Sequence, residues 1–178
     1  MYRDYNTRLS SKLDKMKQKL IDNQIELIGH PTDCIRVRYK KNDEGDIISR
    51  IVEKADVVSI VFPPLKDVPY RTLDDDTGTW RISSLVKATE DDQVSNYEIT
   101  APHNKDIRTG DLLFRVFVDP EVTKPVILGL EVTESLATIG QNSIIQHKYK
   151  CAIYMEDLPE EMSQTIVSLA ERRLNIHF

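Results

Sequence analysis

The hydrophobic pattern changes period twice along the chain. From residue 7 to residue 28 it is helical. Leu9, Leu13, Met16, Leu20 and Leu27 recur at spacings of 4, 3, 4 and 7, with Asn23 in the vacant seam position. That stripe is an a/d seam, narrower than the face a helix usually turns to a core. Gly29 and Pro31 then stop the helix. From Asp33 the period is two: Ile35, Val37 and Tyr39 alternate with Arg36, Arg38 and Lys40, which predicts a half-buried strand. Asn42 to Gly45 reads as a turn, residues 47–52 as the returning arm, and 57–62 as a third run ended by Pro63 and Pro64. Trp80-Arg81-Ile82 could start a short strand.

Three further runs follow between Asp106 and Tyr154, separated by Gly, Pro, Asp and Asn, the pattern of a small antiparallel sheet or barrel. The expected strands are 34–40, 46–62, 95–100, 111–118, 126–133 and 144–154, with Val116, Ile127, Leu128, Ile145 and Ile153 in the core. Residues 133–143 fit either a helical turn or an irregular loop. After Tyr154 the period is helical again. Asp157 is a candidate N-cap, Pro159 suits the first turn, and Met162, Ile166, Leu169 and Arg173 share one face. The class is therefore mainly β (α+β), an antiparallel sheet or small barrel with a helix at each end. Residues 1–31 form the N-terminal helical extension, 32–156 a β domain with a long loop at 63–79, and 157–178 the C-terminal helix.

Composition narrows the function. Of 178 residues, 40% are hydrophobic and 30% charged, as in a globular protein. Twenty-four Lys+Arg against 29 Asp+Glu give a net charge of −5, with no overall basic field for nucleic acid. The N-terminal helix departs from this balance with Arg8, Lys12, Lys15, Lys17 and Lys19 on its polar face. It reads either as a surface helix docked on the sheet or as a helix that packs on a neighbouring subunit or along nucleic acid. Lys12, Lys15, Lys19, Arg36 and Arg38 are the candidates to face DNA, although charges protecting an edge strand explain the two arginines as well. The loop with Pro63, Pro64 and Pro69 is long and polar enough to be expected at a subunit contact, beside the helix seam.

Catalytic and metal chemistry find little support. The four histidines show no i,i+4 pair, and no nucleophile turn or phosphate-cradling glycine loop is present. Asp74-Asp75-Asp76 lacks the register of a calcium loop and reads as a solvated turn. Cys34 and Cys151 read as reduced, half-buried thiols; a disulfide between them stays open at this point. No catalytic residue, cofactor or metal site is expected. With no apolar run of about 18 residues and no apolar N-terminal core, a cytoplasmic, non-membrane protein is the expectation.

The phrase Ile107-Arg108-Thr109-Gly110-Asp111-Leu112-Leu113-Phe114-Arg115-Val116, with a later strand Lys148-Tyr149-Lys150-Cys151-Ala152-Ile153-Tyr154, resembles the small β-barrel proteins of tailed-bacteriophage necks. These are the head-closure, adaptor and stopper-type proteins of the head-to-tail connector. The resemblance spans residues 33–155, and the two terminal helices depart from the minimal barrel. It implies a non-enzymatic virion protein that forms a ring of its own copies around the DNA channel, next to portal or adaptor and tail proteins. It also implies assembly in the host cytoplasm, and contact with packaged DNA, if any, without sequence specificity. A monomeric OB-like nucleic-acid-binding barrel is the competing reading. It calls for stacking aromatics and a basic groove, whereas aromatics here total 7%.

Overall fold

A computed structural model describes residues 2–42, 44–45, 47–63, 69–74, 77–82, 97–118, 124–139 and 144–178, with the side chains of 2–10, 28, 48–50, 137–139 and 144–147 outside the description. Helix α1 runs Tyr2–Ile28, longer at its start than the seam predicts. Strands β1 Thr32–Lys41, β2 Ile47–Ile60, β3 Arg71–Leu73, β4 Trp80–Ile82, β5 Tyr97–Thr100, β6 Leu112–Val118, β7 Pro125–Ile139 and β8 Ile144–Ile153 follow, then helix α2 Glu160–Leu169. A π-type turn, Ala170–Leu174, extends α2 and ends at Asn175 in the left-handed conformation. Asn tolerates that conformation better than most residues.

The strands form one antiparallel sheet in the order β2-β1-β6-β7-β3-β4, and β8 joins β7 and β5. The sheet is not closed, so of the two expected architectures the open sheet is the one found. Two of its three terminal strands, β2 and β5, are tied among the described residues by an isolated bridge just beyond β2. Val61 N–H donates to Thr100 O at 2.8 Å, and Thr100 N–H donates to Val61 O at 3.0 Å.

Side chains alternate into two apolar layers. On one face Cys34, Ile60, Ile99, Leu113, Leu130, Val132, Tyr149 and Cys151 pack together. On the other Ile35, Val37, Phe114, Val116 and Ile127 receive Met162, Ile166 and Ala170 of the C-terminal helix. Val116, Ile127 and Leu128 are buried as expected. Ile153 is partly buried against the first layer, and the side chain of Ile145 lies outside the described residues.

Several expectations are corrected. The run expected at 46–62 is met by one strand, so residues 47–52 and 57–62 are not the separate runs that their pattern suggests. Most of them lie in the single strand β2, with an extra residue at Glu53, where Lys54 and Val52 pair with consecutive residues Arg38 and Tyr39. Such a bulge breaks the period-two signal. Residues 133–139 are strand, because β8 supplies a ladder down to Ile139 opposite Ile144. Two register shifts, between Val132/Glu134 and Leu136/Ala137, hide the alternation. Asp157 is not the cap of α2, whose N-cap is Pro159 at φ −56°, ψ 149°. Proline disfavours helical geometry at the residue before it, which argues against a helix beginning at Leu158, as a cap at Asp157 would require.

Gly29 ends α1 for a different reason from the expected one. It is His30 that turns left-handed, at φ 48°. A Cβ on Gly29 would meet Ile25 O and Val61 Cγ2 at 2.7 Å each. The glycine lets the end of α1 rest directly on the chain just beyond β2.

Candidate assembly interface

β1 is buried on both faces from Cys34 to Tyr39, which overturns the half-buried expectation. Arg36 and Arg38 are 1% and 7% exposed. The Arg36 guanidinium donates to both carboxylate oxygens of Asp56, at 2.8 and 2.6 Å, and to Lys105 O and Asp106 O at 2.6 and 2.9 Å. Arg38 grips both Asp111 carboxylate oxygens, at 2.6 and 2.8 Å, and Asp106 O at 2.6 Å. Asp111 is 1% exposed and also accepts the Arg108 N–H at 2.9 Å. These hydrogen bonds push the Arg38 pKa further up, Asp111 contributing most. Asp106, held by Arg108 and then Arg38, sits below the usual carboxylate range. Bidentate arginine–carboxylate pairs of this kind are both strong and directional. Their work here is to clamp the segment from Lys105 to Asp111 onto β1. The two arginine heads are spent inside the protein and present no basic face to DNA. The Gly110-Asp111 step that opens β6 owes its form to the same clamp. Gly110 is at φ 88°, and its N–H donates to Val132 O at 2.7 Å.

Part of the proline-bearing loop folds on its own sheet, against the expectation that it reaches for a neighbour. Its residues 71–73 are β3, paired with β4 and β7. Arg71, 3% exposed, donates to Tyr154 O at 2.6 Å and Glu156 O at 2.9 Å, with its guanidinium 5.4 Å from the Tyr154 ring centroid. Burial pulls its pKa down. This buried cation fixes the exit of β8 toward α2. Pro63 and Pro69 are partly exposed; Pro64, Asp75 and Asp76 lie outside the described residues. Asp74 pairs with Arg81 and accepts the Thr77 N–H at 3.2 Å, a turn-closing role. Among the described residues no cluster of His, Cys, Asp and Glu could hold a metal. Cys34 and Cys151 are free and fully buried in one apolar layer. Burial drives both thiols up, Cys151 to about 12.

Helix α1 is docked with its polarity reversed. Asp14, Gln18, Ile21, Asp22 and Ile25 share the inward face: Asp14 is 2% and Ile25 8% exposed, and the other three are half-buried. One Asp22 carboxylate oxygen accepts the His103 N–H at 2.8 Å and the Gln18 side-chain amide at 2.9 Å. The apolar seam points out, with Leu13, Met16, Leu20 and Leu27 exposed by 47, 56, 62 and 80%. The side chain of Leu9 lies outside the described residues. Lys12, Lys15 and Lys19 are exposed beside that seam.

The chain matches no known protein family, no curated protein and no solved structure.

What remains is geometry. Between β2 and α2 lies an open groove of about 360 Å³ lined by Ala55, Glu161, Gln164, Thr165, Ser168 and Leu169. Its α2 wall is fixed from below. Trp80 Nε1–H donates to Ser163 Oγ at 2.6 Å, and Trp80 meets Phe178 edge-on at 5.5 Å between ring centroids. No pattern along the chain signals this groove, because it joins residues more than a hundred positions apart. Among the described residues no helix is long and apolar enough to cross a membrane.

Proposed function

We propose that this chain is a non-enzymatic structural protein that works as a subunit of a ring of its own copies, in the setting the resemblance implies: the head-to-tail connector of a tailed bacteriophage. One observation carries the reading. A basic helix rests on its own body through a mixed face of Asp14, Gln18, Ile21, Asp22 and Ile25 and turns four large apolar residues outward. Water-exposed Leu and Met at a/d spacing are unfavourable unless another surface covers them. Burying one such side chain is worth roughly 1.5–3 kcal/mol, so covering four supplies a substantial part of an interface. The monomeric nucleic-acid reading loses its platform with Arg36 and Arg38 buried in ion pairs.

Removing the helix tests the proposal. A chain beginning at Thr32 gives up the buried Ile25 and the Asp22 hydrogen bond but none of the sheet. It should stay folded, melt within a few degrees of the full chain, and sediment as a monomer where the full chain sediments as an oligomer. A truncated chain that unfolds, or that assembles like the full one, ends the proposal.

A further inference from the structure

The seam and the groove carry matching charge patterns. On α1, Lys12, Lys15, Lys19 and Glu26 follow at spacings of 3, 4 and 7 and flank the apolar seam, basic toward the N-terminus and acidic toward the C-terminus. All four are exposed, and none is in an ion pair with a described residue. The groove side of α2 has the opposite order. Glu161 stands at its start, Thr165 and Ser168 follow, and Arg172 continues the row in the π-type turn. Glu156, Asp157 and Glu160 add exposed carboxylates at the same end; at the other, Arg173 adds an exposed cation that with Arg172 outweighs the exposed Glu171. Lys15 to Glu26 and Glu161 to Arg172 are each eleven residues apart, about 16 Å at 1.5 Å per residue. Two helices with these patterns satisfy each other when they lie parallel. Apolar Ala55 and Leu169 and the short Thr165 and Ser168 line the groove together with the longer Glu161 and Gln164, and its open side leaves room for a ridge of Leu and Met side chains.

Resting on the self-assembly reading above, we propose that α1 of one copy lies parallel to α2 of the next, its Leu13-Met16-Leu20 seam over the groove between α2 and β2 and its lysines against Glu160 and Glu161. The contact is heterologous, since each copy offers a helix on one side and a groove on the other. Contacts of that type propagate, and they close into a ring when the rotation per copy allows. The partner is a second copy because this chain carries both halves of the match.

Charge exchange tests it in the full chain. Lys12→Glu with Lys15→Glu and Lys19→Glu should lower association at least tenfold by sedimentation at moderate salt. Glu160→Lys with Glu161→Lys should do the same. A chain carrying all five should recover most of it, with melting curves unchanged throughout. In a second measurement, copies with Met16→Cys are mixed with copies with Ala55→Cys and oxidised. The expected product is a disulfide between the two kinds; Cys34 and Cys151 stay silent in the core. Cross-linking only between Met16→Cys copies would mean that seams pair with seams, and would overturn the groove. So would charge reversals that leave association intact, or a five-fold variant that fails to recover it. If the unaltered protein is monomeric at all concentrations, both this contact and the self-assembly reading fall. If it assembles but ignores the substitutions, this contact alone falls.

Discussion

Replacing Asp111 by Ala strips the only fully buried carboxylate from the clamp on β1. Arg38 would keep one short hydrogen bond, to Asp106 O at 2.6 Å, and a longer one to the Asp106 carboxylate at 3.2 Å, but would lose two at 2.6 and 2.8 Å. Its side chain is 9% exposed, so water cannot replace them. Removing one partner of a buried ion pair costs about 3–5 kcal/mol, and the surviving Asp106 contacts place this case near about 3. For a chain of this length that is a drop in Tm of about 6–12 °C. The control is Arg38→Met with Asp111→Leu, which removes both charges and fills the space. That variant keeps the desolvated core and loses the bond from Arg108 N–H and those from Arg38 to Asp106, whose carbonyl still accepts from Arg36 at 2.9 Å, so it should fall by only about 1–2 kcal/mol. Thermal and urea melts followed by circular dichroism read both. If Asp111→Ala melts within about 2 °C of the unaltered protein, or the double variant is as unstable as the single, the pair is not the clamp described.

Asp106 binds its proton less readily folded than unfolded, because Arg108 and Arg38 donate to its carboxylate. The stability it contributes is complete above its unfolded value, near 3.8, and is lost as pH falls through the lower folded value. Asp106→Asn, which keeps a residue that tolerates φ 51°, should flatten the fall of Tm between about pH 5 and about pH 2; parallel curves would refute the assignment. A Cβ on Gly129 would meet Arg71 Nη1 at 3.0 Å and Phe114 Cε1 at 3.2 Å. With Arg71 anchored on two carbonyls, Gly129→Ala should cost about 1–3 kcal/mol in a urea melt, and a neutral result would mean that Arg71 moves freely. Neither cysteine should react with a thiol reagent in the native state, and both should in denaturant, since the reactive thiolate is suppressed by burial. A native thiol titration above zero would contradict it.

The elements most legible in the sequence were those whose partners are near or whose pattern is regular. The seam of α1 and the Met162–Ile166 face of α2 follow from helical spacing, and β6 from its apolar run. What sequence could not supply was the identity of distant partners. Arg36 and Arg38 look like an outer face because their carboxylates lie 20 and 73 positions away. Arg71 looks like loop because its acceptors are backbone oxygens of residues 154 and 156. The seam was visible, but which face of α1 meets the body of the protein was not. A carboxylate at Asp22 accepting a backbone N–H from His103 decides that, and no periodicity encodes it. The groove was invisible for the same reason.

The bridge between Val61 and Thr100 is two hydrogen bonds joining two of the margins of an otherwise open sheet. Backbone amides there depend on a single stitch, whereas those of Leu113 or Ile127 sit in continuous ladders. Such a stitch parts at a free energy well below that of global unfolding. Deuterium should therefore enter at Val61 and Thr100 long before it reaches the centre of β6 and β7. Because Val61 also carries the end of α1 through Gly29, each opening of the stitch would loosen the footing of the helix. The angle at which α1 leaves the body then depends on these two hydrogen bonds, so in the proposed ring the tilt between copies would adjust without any strand being lost.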